Sequence, residues 1–240
     1  MRRNPGHGRG RTVAAVVPGV ALSSDPLLFF FDFVDPGSYL VHEVLRGEAE
    51  RNPGLLSPVV YHPLELRPPP APLQDARSPA WTQMNQMLGE AARLLTIPFE
   101  PPTLIPWSRK AHELALHFLE AEGHSRNGIS PLHHHLFRAH FEEGLDLGRV
   151  DVLVQLAERQ GLDRGEVHAV LGVDRFGPDV DKFRRTALEL GVRGVPTLVH
   201  GEVPLEGFPG IAALRRFLAS VGRETPQPPA QDPSADGETT

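Results

Sequence analysis

The sequence predicts an α/β protein in which a mixed sheet is interrupted by a large all-helical insertion. Short aromatic and β-branched runs stand near the beginning, at 27–34 and 59–66, and return only near the end, at 197–205. Between them, over about 76–190, apolar residues recur at three- and four-residue steps, the period of a helix face.

The first run, Leu27-Leu28-Phe29-Phe30-Phe31-Asp32-Phe33-Val34, is bounded by Asp25-Pro26 and Asp35-Pro36-Gly37 and reads as a buried strand. Asp35 suits a helix N-cap. Pro36 suits the first helical position, where its missing N–H has no intrahelical partner to lose. The helix so started places Tyr39, Leu40 and Val44 towards a core and is predicted to end near Gly47. Residues Val59 to Leu66 read as a second strand, with Pro63 marking an edge or a bulge because it cannot donate to a ladder. The segments Pro68 to Pro72 and Pro98 to Pro106 read as stiff surface connections and hold eight of the chain's 25 prolines.

In the insertion, Trp81, Met84, Met87, Leu88, Ala91 and Leu95 form one helical stripe, and Ala111, Leu114, Ala115, Phe118 and Leu119 a second. Further helices are predicted at 132–143, 149–160 and 164–171, stopped by Gly144, Gly161 and Gly172. The last, at 178–190, should bury Val180, Phe183, Ala187 and Leu188 and stop at Gly191. Thr197 to His200 and Val203 to Leu205 then flank Gly201-Glu202 as a hairpin, and Ile211, Leu214, Phe217, Leu218 and Val221 mark a closing helix. Residues 26–223 thus form one domain with its insertion. Residues 1–25 read as a disordered or processed extension and 224–240 as a disordered polar tail.

Composition narrows the chemistry. The chain has no cysteine, which removes disulfides, zinc–thiolate sites, iron–sulfur clusters and thiol nucleophiles together. Its net charge is −6, and the tails cancel: Arg2, Arg3, Arg9 and Arg11 against Glu224, Asp232, Asp236 and Glu238. The body therefore keeps the whole negative charge and offers no footprint for a phosphate backbone, so no nucleic-acid partner is expected. No apolar run approaches the ~20 residues of a membrane span, so no membrane partner is expected either. Arginines ahead of the weakly apolar Val13 to Leu22 resemble a secretion signal, but Pro18-Gly19 interrupts that stretch, and a cytoplasmic location is expected.

Three segments resemble the DsbA-like thioredoxin-fold proteins, in the branch of FrnE-type oxidoreductases, 2-hydroxychromene-2-carboxylate isomerases and kappa-class glutathione transferases. The first, Phe30 to Leu40, is similar to that family's strand, active-site turn and helix. Residues 108–115 and 136–144 are similar to the insertion helices of the FrnE branch. Gly191-Val192-Arg193-Gly194-Val195-Pro196-Thr197-Leu198 looks like the loop whose cis proline faces the active site. The resemblance implies a thioredoxin-like fold with a helical insertion. It also implies that Asp35 and Ser38 occupy the two positions of the Cys-Pro-x-Cys pair, and that Val195-Pro196 pairs with an extended ligand.

Asp35 in that first position already supplies the anion that a helix N-terminus favours, and it would repel an incoming thiolate. Disulfide exchange is excluded for the chain's own side chains, and glutathione is disfavoured as a cofactor. Trp107 and Phe208-Pro209 depart from the family's pattern around bound glutathione. Asp35 reads first as an N-cap and second as a general base; Ser38 reads as a filler or, with His42 one turn on, as a weak nucleophile. His112 and His117 fall about 140° apart on a helix and cannot share an ion. Those two and the His133-His134-His135 run with His140 read as residues of surface helices, so no metal is predicted. The expected function is a redox-inactive relative binding a small molecule or an extended peptide. The alternative is a glutathione-dependent isomerase- or transferase-like enzyme with Asp35 and Ser38 as its catalytic residues.

Overall fold

The computed structural model describes residues 26–52, 58–123 and 130–221. The expected N-terminal extension and C-terminal tail lie outside these residues. Strand β1 (Leu27–Phe31) sits inside a four-stranded sheet ordered β2-β1-β3-β4. It runs parallel to β2 (Val59–Pro63) and antiparallel to β3 (Thr197–His200), which pairs in turn with β4 (Val203–Glu206). Pro63 ends β2 on the sheet's edge, where a missing N–H harms no ladder.

The dense apolar run of β1 is explained by cover on both faces. Phe29 and Phe31 point into the main core with Tyr39, Leu114, Phe137 and Phe141, whereas Phe30 points the other way onto Leu64, Ala187 and Val192. The main core takes residues from the strands, from α1 (Pro36–Arg51), α2 (Pro79–Leu95), α3 (Arg109–Ala121), α4 (Pro131–Phe141), α5 (Val150–Glu158) and α6 (Arg164–Gly172), and from the closing helix α8 (Ile211–Val221). The insertion therefore shares one core with the sheet. A helix α7 (Gly177–Glu189) leads back to β3. No described helix is long and apolar enough to cross a membrane.

Several local expectations are corrected. Helix α1 runs through Gly47 to Arg51. Arg46 bridges Glu43 and Glu50, and Arg51 bridges Glu48 while its Nε donates to the Gly47 carbonyl, so pairs at helical spacing carry the last turn past the glycine. Gly144, Gly161 and Gly191 do turn the chain at positive φ (67°, 86° and 74°), but Gly172 remains helical and Asp174 makes that turn at φ 52°. Met87 and Leu188 are 60% and 62% exposed, each one residue, about 100°, off its helix's buried stripe.

One ion-pair cluster fastens the insertion to the sheet side. The guanidinium of Arg109 in α3 pairs with both oxygens of Glu65 just beyond β2 (3.2 and 2.7 Å) and with Asp181 of α7 (2.7 Å). Glu65 is buried, so the guanidinium compensates a carboxylate withdrawn from water.

Candidate functional site

The site is built where β1 hands over to α1. Asp35 caps α1 in extended backbone (φ −96°, ψ 118°), and its Oδ2 accepts from the Ser38 amide at 2.6 Å and from the Ser38 hydroxyl at 2.7 Å. The Ser38 Oγ accepts in turn from the Asp32 amide at 3.3 Å, so donor and acceptor capacity are both engaged in a fully buried residue. Ser38 and His42 do not form a unit. The His42 Nδ1 pairs instead with the Tyr61 hydroxyl at 2.8 Å.

Above this turn lies the cis Val195-Pro196 peptide that the resemblance implies. Its ring packs on the turn so closely that a Cβ on Gly37 would stand 2.9 Å from Pro196 Cδ and 3.2 Å from Asp35 Oδ2. Asp35 and Ser38 are thereby covered. The Pro196 carbonyl accepts from the Gly207 amide at 2.7 Å, and Val195 lines a small cavity of about 120 Å³ beside Leu66 and Arg184.

A third residue, which the sequence reading did not single out, organises the site. Asp32 at the end of β1 is fully buried; its Oδ2 accepts from the Leu66 amide at 2.6 Å, and its Oδ1 lies 3.2 Å from His112 Nε2 of α3. Ser108 is a further hydrogen-bond partner. The one available signal was a charge inside an otherwise apolar strand, Phe-Phe-Asp-Phe-Val, which folds only if the carboxylate finds donors.

The two carboxyl groups sit in opposite regimes. Burial pushes Asp35 up to about 7, against the pull of its Ser38 bonds and with a smaller push from the charge of Asp32. Burial acts on Asp32 in the same direction, but His112, the Leu66 amide and Ser108 outweigh it and hold that carboxyl below the ordinary range. The pair thus places a permanent anion beside a group that takes up a proton near neutrality.

The histidine helices are not surface helices on these faces. His112, His133 and His140 are 0%, 3% and 1% exposed, and His117 is buried as well. His133 lies among the rings of Phe31, Phe33 and Tyr61, and burial lowers the pKa of His133 and of His140, so both serve as neutral aromatic core. Imidazole is polar enough to suit a surface helix, but α3 and α4 pack on the sheet with these faces inward.

Between the sheet and the insertion opens a cavity of about 320 Å³, floored by Asp32 and Ser108 and walled by Leu66, Trp81, Ile105 and Trp107. The two proline-rich connections frame it, joined by the Gln74–Ile105 bridge and by Trp107 Nε1 donating to the Ala71 carbonyl at 2.9 Å. Trp81 Nε1 is a buried donor without a hydrogen-bond partner among the described residues. Asp35, Ser38 and Pro196 lie outside this lining, so the cavity is adjacent to the turn and separate from it.

Comparison with known proteins agrees with this fold. A family model of the DSBA-like thioredoxin domain matches residues 27–219. The protein YwbO of Bacillus subtilis (strain 168) is 28% identical over 170 residues, covering 67% of this chain and 80% of that one. Among solved structures, a 2-hydroxychromene-2-carboxylate isomerase superposes with a TM-score of 0.64 at 20% identity, covering 82% of this chain and 95% of its own. The probable DsbA oxidoreductase SCO1869 from Streptomyces coelicolor superposes at 0.63 with 22% identity, covering 85% and 93%. At these identities the superpositions speak for the thioredoxin-like fold with its helical insertion.

Proposed function

The chain belongs to the DSBA-like thioredoxin domain family, and from that membership we propose that it is a redox-inactive binding protein whose ligand, a small molecule or an extended peptide, occupies the cavity between sheet and insertion. The observation that carries this reading is the contrast between the two neighbouring places. The turn Asp35-Pro36-Gly37-Ser38 holds no thiol, its polar atoms are bound to one another, and Pro196 covers it. The space beside it is open and largely apolar, with a few polar groups at its floor, which is the usual make-up of a ligand pocket.

The lining, largely apolar with Asp32 and Ser108 among it, favours a mostly apolar ligand with a few polar groups. Val195, reached past Leu66, would then add backbone pairing for the extension of a longer ligand. Glutathione fits poorly. The donors at the helix N-terminus that would hold its thiolate are bound to Asp35, whose own charge opposes an anion there.

Trp81 and Trp107 are the chain's two tryptophans and both line the cavity, so intrinsic fluorescence reads its occupancy. Titration with a panel of short, apolar, extended peptides should give a saturable change for at least one member, and Leu73→Arg on the cavity rim should abolish it. An absent response, or one that survives Leu73→Arg, overturns the reading. So does any acceleration of insulin-disulfide reduction above the blank.

A second reading, an isomerase- or transferase-like enzyme using glutathione, is favoured by one observation: Asp35 titrates near neutrality beside Ser38 and the cis-proline loop. Calorimetric titration with glutathione separates the two. Heat that disappears in Asp35→Asn supports the enzyme, and no heat at millimolar ligand removes it.

A further inference from the structure

We propose that His42, Glu43 and His134, which lie outside the lining of the cavity between sheet and insertion, bind one zinc-class divalent metal ion. His42 and Glu43 come from α1 and His134 from α4, and one ligand atom of each lies within 4.8 Å of the other two. The Nδ1 of His134 is 2.8 Å from Glu43 Oε1, and the Nε2 of His42 is 3.8 Å from that same oxygen. Tetrahedral zinc with bonds of about 2.0–2.2 Å sets its ligand atoms roughly 3.3–3.6 Å apart, so side-chain adjustments of about an ångström admit the ion.

Three features distinguish this group from an ordinary ion pair. The His42 ring is fully buried and its Nε2 has no hydrogen-bond partner among the described residues, although it points to the Glu43 carboxylate. An ion pair between Glu43 and His134 leaves that nitrogen unexplained, whereas a metal ion uses its lone pair. Next, each inner ligand is oriented from behind. The Tyr61 hydroxyl lies 2.8 Å from His42 Nδ1, and with Nδ1–H donating to it the imidazole presents a bare Nε2; Arg46 donates to Glu43 Oε2 at 2.9 Å and leaves Oε1 to the cluster.

The third feature is access. Glu43 and His134 line a cleft of about 520 Å³ bounded by Thr96 and Arg138, from which water can take the remaining coordination position. Two imidazoles and one carboxylate with an open position suit zinc, whose filled shell imposes no other geometry.

Dialysed protein is titrated with Zn²⁺ against a chromophoric chelator. Wild type should bind one equivalent, and Glu43→Gln and His134→Ala should weaken it at least about tenfold, as even outer-shell changes do. His135→Ala, on the neighbouring half-buried residue whose Nδ1 pairs with the Pro131 carbonyl, should leave affinity unchanged. Because His42 is buried and its replacement can unfold the chain, its part is read with Co²⁺ in wild type. The absorption bands should report four-coordinate cobalt, and X-ray absorption should report two imidazoles. Failure to bind an equivalent, or wild-type affinity in Glu43→Gln or His134→Ala, overturns the proposal.

Discussion

Ser38 gives both its amide and its hydroxyl to a single oxygen of Asp35, at 2.6 and 2.7 Å. The two positions that resemble a redox pair have thus become a helix cap closed upon itself, and its chemistry is that of one buried carboxyl group.

Asp35→Asn keeps an acceptor for the Ser38 amide and removes the charge. In the folded protein Asp35 holds its proton to about 7, against an ordinary value of 3.8. Above the unfolded pKa the unfolded chain loses the proton first, so the wild type loses stability as pH rises through the window from about 4 to about 7. The variant is spared that loss. Its stability relative to wild type should therefore increase across the window, by up to roughly 4 kcal/mol at about 1.4 kcal/mol per pH unit. Urea unfolding at pH 4, 5.5 and 7 checks this; a constant difference contradicts it.

Gly37→Ala should destabilise the protein by about 1–3 kcal/mol, the usual range for overpacking. The new methyl would meet the ring of Pro196 at 2.9 Å, and a pyrrolidine ring has no rotamer by which to retreat. A thermal melt compared with wild type gives the answer, and an unchanged midpoint would show that the Pro196 loop yields freely.

His112→Ala leaves Asp32 buried with its largest stabilising partner gone, so a loss of about 3–5 kcal/mol is expected at neutral pH. The sign of its pH dependence follows. The lowered Asp32 pKa gives the wild type an advantage that is present above the unfolded value and lost as pH falls through the folded one. The gap between the two proteins should accordingly be widest above about pH 4 and narrow on acidification. Chemical denaturation at pH 3 and pH 6 measures it.

The parts of the site that the sequence disclosed are those built within a few residues. Asp35, Pro36 and Ser38 form a cap because capping is local, and the Gly-Val-Pro-Thr segment carries its conformation with it. The parts it hid are made by distant residues. His112 meets Asp32 across 80 positions, and His134 meets Glu43 across 91. Helical spacing sets His112 and His117 about 140° apart on one helix, but spacing along one helix says nothing of a partner on another. The same limit explains the buried histidines: the amphipathic pattern located α3 and α4, and only their packing on Phe31 and Phe33 decided that imidazoles belong inside.

The insertion contributes Leu114, Phe137 and Phe141 to the same core as Phe29 and Phe31, and Arg109 ties α3 to Glu65 and Asp181. Sheet and insertion are accordingly one cooperative unfolding unit, and the slowest amide exchange in both should report a single global opening. A minimal four-stranded version cannot be cut from this chain, because excision would leave the inward faces of β1 wet. The cavity's two walls rise and fall together, so a ligand that binds there stabilises the whole domain rather than a lobe of it.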